Sequence, residues 1–598
     1  MDGSASPHQE YDARQAKWRA RQALSQQQFI RIGNGRLALA IAAIALAWLS
    51  SGSGVVSGWW LLVPAALFIA LVIWHERVMG ERAFSERAIR YYDFCLARLG
   101  NRWMGGGTAS ERFRDPAHLY AEDLDVFGKG SLFELLSTAR TAAGEDTLAA
   151  WLLYPAPHGE ALARQDAVRE FREKLDLRED IALLGEDANA GLRAESLTKW
   201  GALPAVRFAA FLRPLALLMA LAGTGLFLAF LAHVVPLWPF LAVAACDFLF
   251  SFLIRKQVME VLGAADIPAR DLALLALLIA RLEQERFVSP MLLRLRAELQ
   301  VNGVPAVRRI NRLKQWLDLA DSSEHLLIRA IRPFLLWREQ VAMGIEAWRS
   351  KTGPHLGAWI QALSEFEAIC SLASLAYERP QWSFPRLAAT AEAQFEAQAL
   401  QHPLLPPEQC VANDVSMNSS RRLLIVSGSN MSGKSTLLRA IGLNTVLAWA
   451  GAPVAARDLR ISPLQTGASI RVTDSLQDHR SRFFAEITRL RQIVDLTRGG
   501  QQVLFLLDEL LSGTNSHDRR IGAAGVVHGL LRGESIGLLT THDLALTEIE
   551  GDVGAYALNV HFEDKIEDGR VEFDYQLRPG IVTHSNALEL MRAIGLEI

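Results

Sequence analysis

From Leu37 to Trp74 the chain carries no charged side chain. A run of that length must leave water, into a bilayer or into the middle of a large core. Gly52, Ser53 and Gly54 interrupt it near its centre, so it reads as two helices joined by a tight turn. A spanning helix needs roughly 20 apolar residues, and each half is near the lower limit. Arg14, Lys17, Arg19, Arg21, Arg31 and Arg36 precede the run, and Arg77, Arg82, Arg87 and Arg90 follow it. With basic residues on both outer flanks and none in the turn, both ends are expected in the cytoplasm. A secretory signal is excluded, because the basic stretch is too long and no small-residue cleavage pattern follows.

The design recurs between Arg213 and Lys256. Leu215 to Ala232 is free of charge, His233 to Pro236 makes a turn, and Leu237 to Ile254 returns to Arg255 and Lys256. Asp247 lies inside the return leg, where a carboxylate costs a few kcal/mol on insertion scales. The competing reading is a pair of hairpins buried in a large helical protein. Two runs with the same flanking-charge pattern favour the membrane, and composition agrees. Mean hydropathy is +0.14, above the usual soluble range, with 50% hydrophobic and 21% charged residues. Formal charge is −3, from 62 basic and 65 acidic residues, which excludes a globally basic nucleic-acid binder but not a local basic patch. Cys95, Cys246, Cys370 and Cys410 never form a C-x-x-C pair, so neither a disulfide scaffold nor a structural zinc site is expected.

Residues 80–207 and 257–395 show mainly helical spacing of apolar residues. Asp271 to Leu282 and Leu356 to Leu375 are the strongest helix candidates. Arg308, Arg309, Arg312 and Lys314 form a basic cluster, read as a solvated helix face with phosphate contact as the alternative.

The sharpest chemical signal lies further on. Leu423-Leu424-Ile425-Val426 reads as a buried strand and leads directly into Gly428, Ser429, Asn430, Met431, Ser432, Gly433, Lys434, Ser435 and Thr436. This fits G-x-x-x-x-G-K-[ST], and a helical run from Leu437 to Trp449 follows, the context that a phosphate-binding loop requires. The glycines let backbone N–H groups turn toward phosphate oxygens. Lys434 is suited to the β- and γ-phosphates and the Ser435 hydroxyl to Mg²⁺, so ATP and Mg²⁺ are the expected cofactors. A second strand, Val503 to Leu507, ends in Asp508 and Glu509. Asp508 is assigned to the Mg²⁺ shell and Glu509 to the attacking water. A third strand, Ile536 to Thr541, ends at His542, placed to sense the γ-phosphate.

These residues resemble the MutS family in detail. Gly428 to Thr436 is similar to its G-x-N-M-x-G-K-S-T, and Asp508 to Asp518 to its acidic-strand motif with the following G-T and D. Thr541-His542 matches its T-H pair, and Asp474 to Glu486 its D…S-x-F-x-x-E signature. His402-Pro403-Leu404, Phe573 to Gly580, Ser585 to Leu588 and Gly595 also follow the pattern. More loosely, Asp125 to Leu136 and Thr141 to Pro155 resemble the start of the family's core helical region. The resemblance implies a homodimer in which Ser481 of one chain reaches the γ-phosphate held by the other.

The departures are equally specific. Nothing resembles the mismatch-reading domain; Phe84-Ser85-Glu86 has its F-x-E spacing but is read as helix surface. No nuclease-like domain is expected after Ile598. Arg482 replaces a small hydroxyl residue, and Ser512 stands where many members have arginine. The second apolar hairpin falls where the family sends lever helices to a DNA clamp.

The expected fold is therefore an α/β P-loop NTPase domain of the ABC/MutS type at 396–598. An all-α core-like helical region at 80–207 and 257–395 precedes it, with transmembrane hairpins at 37–74 and 214–254 and a polar basic tail at 1–36. The expected function is that of a membrane-anchored ATP hydrolase at the inner (cytoplasmic) membrane, with its ATPase domain cytoplasmic. DNA binding and mismatch repair follow from the resemblance alone. The alternatives are an ATP-gated membrane scaffold and an ABC-like transport-associated ATPase. The second is disfavoured because no LSGGQ-like signature precedes Asp508 and four short spans leave little room for a translocation path.

Overall fold

The computed structural model describes residues 6–52, 57–189, 194–322, 335–429, 431–471, 482–567 and 570–582. Its N-terminal part is helical. Helices α1 (Pro7–Gly52) and α2 (Leu62–Leu99) form a long antiparallel pair. Residues 7–36, read as a tail, are thus the first part of a continuous helix that carries on into the apolar run. The stalk of this pair docks on the body of the protein. Glu179 of α6 (Leu175–Asn189) accepts hydrogen bonds from Arg14 Nη1 at 3.0 Å and Trp18 Nε1 at 2.7 Å, and from the Tyr92 hydroxyl. Arg98, 1% exposed, donates to Glu378 Oε1 at 2.5 Å, and the Tyr11 hydroxyl donates to the same oxygen at 3.2 Å. Glu86 stays on the helix surface, its side chain 36% exposed in an ion pair with Arg82 one turn away, whereas Phe84 is half-buried. Phe84 packs on Trp18, Ser85 is fully buried, and Glu86 accepts from Arg82 and Gln22.

The second apolar hairpin joins α8 (Leu212–Leu231) to α9 (Trp238–Gln284). The return leg does not stop at Arg255. It continues as one 47-residue helix that includes Asp271 to Leu282 and docks on α6, where Arg281 Nε lies 2.6 Å from Asp180 Oδ2. Both hairpins therefore stand on helical stalks that converge on α6. The remaining helical body includes α11 (Ala306–Ser322), α12 (Trp337–Thr352) and α13 (Leu356–Glu378). Among the described residues four helices are long and apolar enough to cross a membrane.

The C-terminal part is α/β. A six-stranded sheet has the order β12-β11-β6-β10-β9-β8, parallel from β11 through β8, with β12 antiparallel at the edge. Here β6 is Leu423–Ser427, β8 Leu464–Ser469, β9 Gln502–Asp508, β10 Ser535–Thr541, β11 Ala557–Glu567 and β12 Arg570–Pro579. The continuous apolar runs follow from covering both faces of a parallel sheet. In β6, Leu424 and Val426 enter the core shared with the helical body, while Leu423 and Ile425 enter a second core. In β9, Leu504 and Leu506 face the first core and Phe505 and Leu507 the second. That alternation is the two-residue period of a strand. It makes the helical body one wall of the ATPase-like domain rather than a separate lobe.

Candidate functional site

The parallel register aligns the carboxyl ends of three central strands. Thr541 is level with Ser427 of β6, and Thr540 with Asp508 of β9. Ligands bind in the crevice beyond such strand ends. The loop after β6 enters α14 (Lys434–Ala450) through Gly433, whose φ of 103° lies in the left-handed region. A side chain there would be strained, and its Cβ would come within 3.2 Å of the Tyr575 ring.

Three groups meet at the strand ends. Ser435 Oγ donates to Asp508 Oδ2 at 2.6 Å, and the Thr540 hydroxyl donates to Asp508 Oδ1. Lys434 Nζ donates to the carbonyls of Gly428 at 2.9 Å and Ser429 at 2.7 Å, inside the ring made by the loop. Burial pushes its pKa below the ordinary lysine value, while Glu509, Asp508 and Asp564 pull the other way. His542 Nδ1 lies 3.1 Å from Glu509 Oε1. Glu509 itself has φ 47°, a costly conformation for a non-glycine residue. Its N–H donates to the Thr540 carbonyl at 3.2 Å.

The site opens into a cavity of about 1010 Å³, at the upper end of the range for small-molecule sites. Lys434, Ser435, Asp508 and Glu509 line its polar end; Leu400, Leu405, Val411, Ala440 and Tyr575 contribute apolar and aromatic surface. His402 also lines it. Burial and the nearby Arg439 push this imidazole down to about 4, so it is neutral near pH 7. Its Nδ1 accepts the Leu404 N–H at 3.2 Å, which leaves the proton on Nε2. Asn413 braces the aromatic side: its amide donates to the Tyr575 carbonyl at 3.0 Å and accepts the Leu577 N–H at 2.7 Å.

These residues fit a nucleotide with Mg²⁺. Among the described residues Ser429 Oγ and Ser432 Oγ, buried in the loop, have no hydrogen-bond partner, which suits them to a polyanion. Among the described residues no group of three or more His, Cys, Asp or Glu side chains is placed to hold a metal alone. A Mg²⁺ held by one hydroxyl, one carboxylate and phosphate oxygens needs no such cage.

Of the residues expected from sequence, the structure brings together Gly428, Ser429, Met431, Ser432, Gly433, Lys434, Ser435, Thr436, Asp508, Glu509 and His542 around the loop and strand ends. Met431 is 84% exposed at the mouth. Asn430 and Ser481, with Asp474 to Arg480, Ser53, Ser585 to Leu588 and Gly595, lie outside the described residues. Glu486, from the same signature as Ser481, lies on α15 (Arg482–Arg498) and accepts the Leu511 N–H at 2.6 Å. That bond ties the helix following Ser481 to the turn that follows Glu509.

Two functional contacts escape the sequence reading. Thr540 was passed over as the residue before Thr541-His542, although its hydroxyl orients Asp508. Asp123, 3% exposed, accepts the N–H groups of Ile470 and Arg471 at 2.7 Å each through Oδ1. Around it Arg439 Nε donates to the Asp123 carbonyl at 3.0 Å, the Ala468 N–H donates to the Leu119 carbonyl, and Arg489 donates to Pro116 and His118 carbonyls. Segment 115–127 thereby clamps the loop helix, the end of β8 and α15 to the helical body.

Comparison with known proteins agrees with this geometry. Residues 424–597 match the family model for MutS domain V. The chain is 34% identical over 229 residues to the DNA mismatch repair protein MutS of Exiguobacterium sp., a stretch covering 37% of this chain and 26% of that protein. It is 30% identical over 264 residues to the DNA mismatch repair protein MutS 2 of Halobacterium salinarum, covering 43% of this chain and 29% of that one. The matched stretches thus span under a third of each relative.

Proposed function

The chain belongs to the MutS family through its C-terminal domain, and from that premise we propose that it is a membrane-anchored ATP hydrolase working as a homodimer. The observation that carries the ATPase reading is the cluster at the strand ends: Ser435 on Asp508, Thr540 behind Asp508, and His542 on Glu509. Lys434 and the loop N–H groups bind and orient the triphosphate. Ser435 and Asp508 would hold Mg²⁺, which on binding neutralises phosphate charge. Glu509 takes the proton of the attacking water, and His542 holds the Glu509 carboxylate in position. By family resemblance, Ser481 of the partner completes each site, so that ATP closes the dimer and hydrolysis releases it.

Anchoring is supported by the four long apolar helices and their exposed faces. The reading places the protein in the inner membrane with the ATPase domain on the cytoplasmic side. The stalks converging on α6 and the clamp at Asp123 would carry the opening and closing of the dimer to the hairpins.

The test uses full-length protein in neutral detergent. Wild type is expected to bind and turn over ATP, Lys434→Ala to lose binding, and Glu509→Gln to bind without turnover. ATP binding unchanged in Lys434→Ala overturns the site assignment. Homoduplex, mismatched and branched DNA form separate arms. If none binds or alters turnover, the repair role fails while the ATPase reading stands.

A further inference from the structure

At the base of the second hairpin, the basic cluster on α11 meets basic residues from distant parts of the chain. A Cβ on Gly223 would lie 3.5 Å from Val243 Cγ1 and 3.6 Å from Asp247 Oδ2. This sets an antiparallel register in which Arg213 stands level with Arg255 and Lys256. The Arg213 guanidinium sits 5.1 Å from the Trp316 ring of α11, and Gln340 of α12 donates to the Arg213 carbonyl at 3.3 Å. Trp337 Nε1 donates to the Leu319 carbonyl at 2.7 Å, and Arg338 reaches Met259 Sδ of α9 at 3.3 Å. Helix α11 and the start of α12 therefore lie against the hairpin where its charge-free legs begin.

Arg213, Arg255 and Lys256 are exposed at this base, and Arg312 and Lys314 are exposed on α11 in the turn before Trp316. Among the described residues none of the five forms an ion pair, although Arg112, Arg114 and Arg281 elsewhere do. Glu339 is turned inward onto the Ser251 hydroxyl at 2.5 Å and Asp247 is 3% exposed, whereas Glu260 and Asp318 are exposed one turn from Lys256 and Lys314 and offset part of the charge. Directly beyond the cations the hairpin exposes Leu217, Leu218, Leu249, Phe252 and Leu253.

We infer that this collar binds the phosphate groups of anionic phospholipids. Cations beside two tryptophans and an apolar wall match an amphiphile: phosphodiester on the guanidinium and ammonium groups, indole rings at headgroup level, acyl chains along the hairpin. A nucleic acid would satisfy the charges but leave the adjoining apolar wall unmatched, so the observations favour lipid over DNA for this patch. The inference rests on the proposed membrane anchoring and adds a ligand class and named residues to it.

The experiment reconstitutes the full chain into discs of phosphatidylcholine with a minor fraction of phosphatidylglycerol. Lipid retained after re-extraction is then counted by mass spectrometry. Wild type is expected to hold phosphatidylglycerol several-fold above its bulk fraction, with the enrichment falling as ionic strength rises. The combined variant Arg213→Gln, Arg255→Gln, Lys256→Gln, Arg312→Gln and Lys314→Gln should lose the enrichment while keeping ATP turnover. A variant with Arg213→Lys, Arg255→Lys and Arg312→Lys should retain most of it. Equal retention of both lipids by wild type, or an unchanged glutamine variant, overturns the proposal. Displacement of the lipid by duplex DNA reassigns the patch to nucleic acid. Release of the chain from native membranes by alkaline carbonate defeats the anchoring itself, an outcome distinct from an embedded chain without lipid preference.

Discussion

The central strands and the two hairpins draw on the same apolar residues, leucine, isoleucine, valine and phenylalanine among them, yet they dispose of them differently. Every residue of β6 and β10 is buried, and the side chains of β6 are divided between two cores. In the four apolar helices only 6%, 11%, 17% and 22% of the most apolar window is buried. Trp48, Trp59, Leu221, Phe248 and Leu253 are all more than half exposed. Apolar composition alone does not separate a core from a membrane span. The partner does, since the strands find theirs within the chain and the hairpins must take theirs from outside.

Paired substitutions put that contrast at risk. Phe505→Ala in β9 is expected to destabilise the folded protein by about 3–5 kcal/mol, read from denaturation in detergent. Phe248→Ala on the hairpin should cost far less by the same readout; an equal loss would mean that the hairpin is buried by protein. Phe248→Arg should impose about 2.5–3.5 kcal/mol on membrane insertion if it sits near mid-bilayer, scored with a glycosylation reporter, and no change in insertion would break the anchoring account.

At the join between the two regions, Asp123→Ala leaves the N–H groups of Ile470 and Arg471 without their acceptor. This should cost about 1–3 kcal/mol and raise hydrogen exchange at those two amides, with Asp123→Asn retaining part of the protection. Unchanged exchange would remove Asp123 from the clamp.

Within the helical body the contrast can be sharpened through a pH dependence. Glu367, on α13, accepts N–H bonds from Arg140 and Thr141 and the Thr141 hydroxyl, but burial dominates and lifts its carboxyl from 4.5 to about 7. A folded-state value above the unfolded one means that the folded state holds the extra proton. The contribution to stability is complete below about pH 4.5 and is lost as pH rises toward about 7. Glu367→Gln should flatten that part of the stability–pH curve, and an unaltered slope would show that other groups set it.

How much of this was legible in the sequence depends on how local each signal is. Strands β6, β9 and β10 carry continuous apolar runs that end in a glycine-rich loop, two carboxylates and a histidine, so element and chemistry are adjacent in the chain. The Asp123 clamp was invisible because its partners lie 347 and 348 residues away. The stalks were misread for another reason. The polar residues before Leu37 and after Ile254 suit a solvated helix as well as a tail or a break, and only the contacts at Glu179 and Asp180 show that the helices continue. Phe84 was misjudged because the pairing of α1 with α2, which sets Trp18 against it, is not written in its own neighbourhood.

The most direct measurement of the central claim is ATP turnover by the full chain embedded in lipid vesicles, compared with Glu509→Gln in the same vesicles. The account predicts turnover that sediments with the vesicles and falls by about 10²- to 10⁴-fold in the variant, while ATP binding is kept. Turnover that survives Glu509→Gln, or that remains in the supernatant after the vesicles are removed, would contradict it.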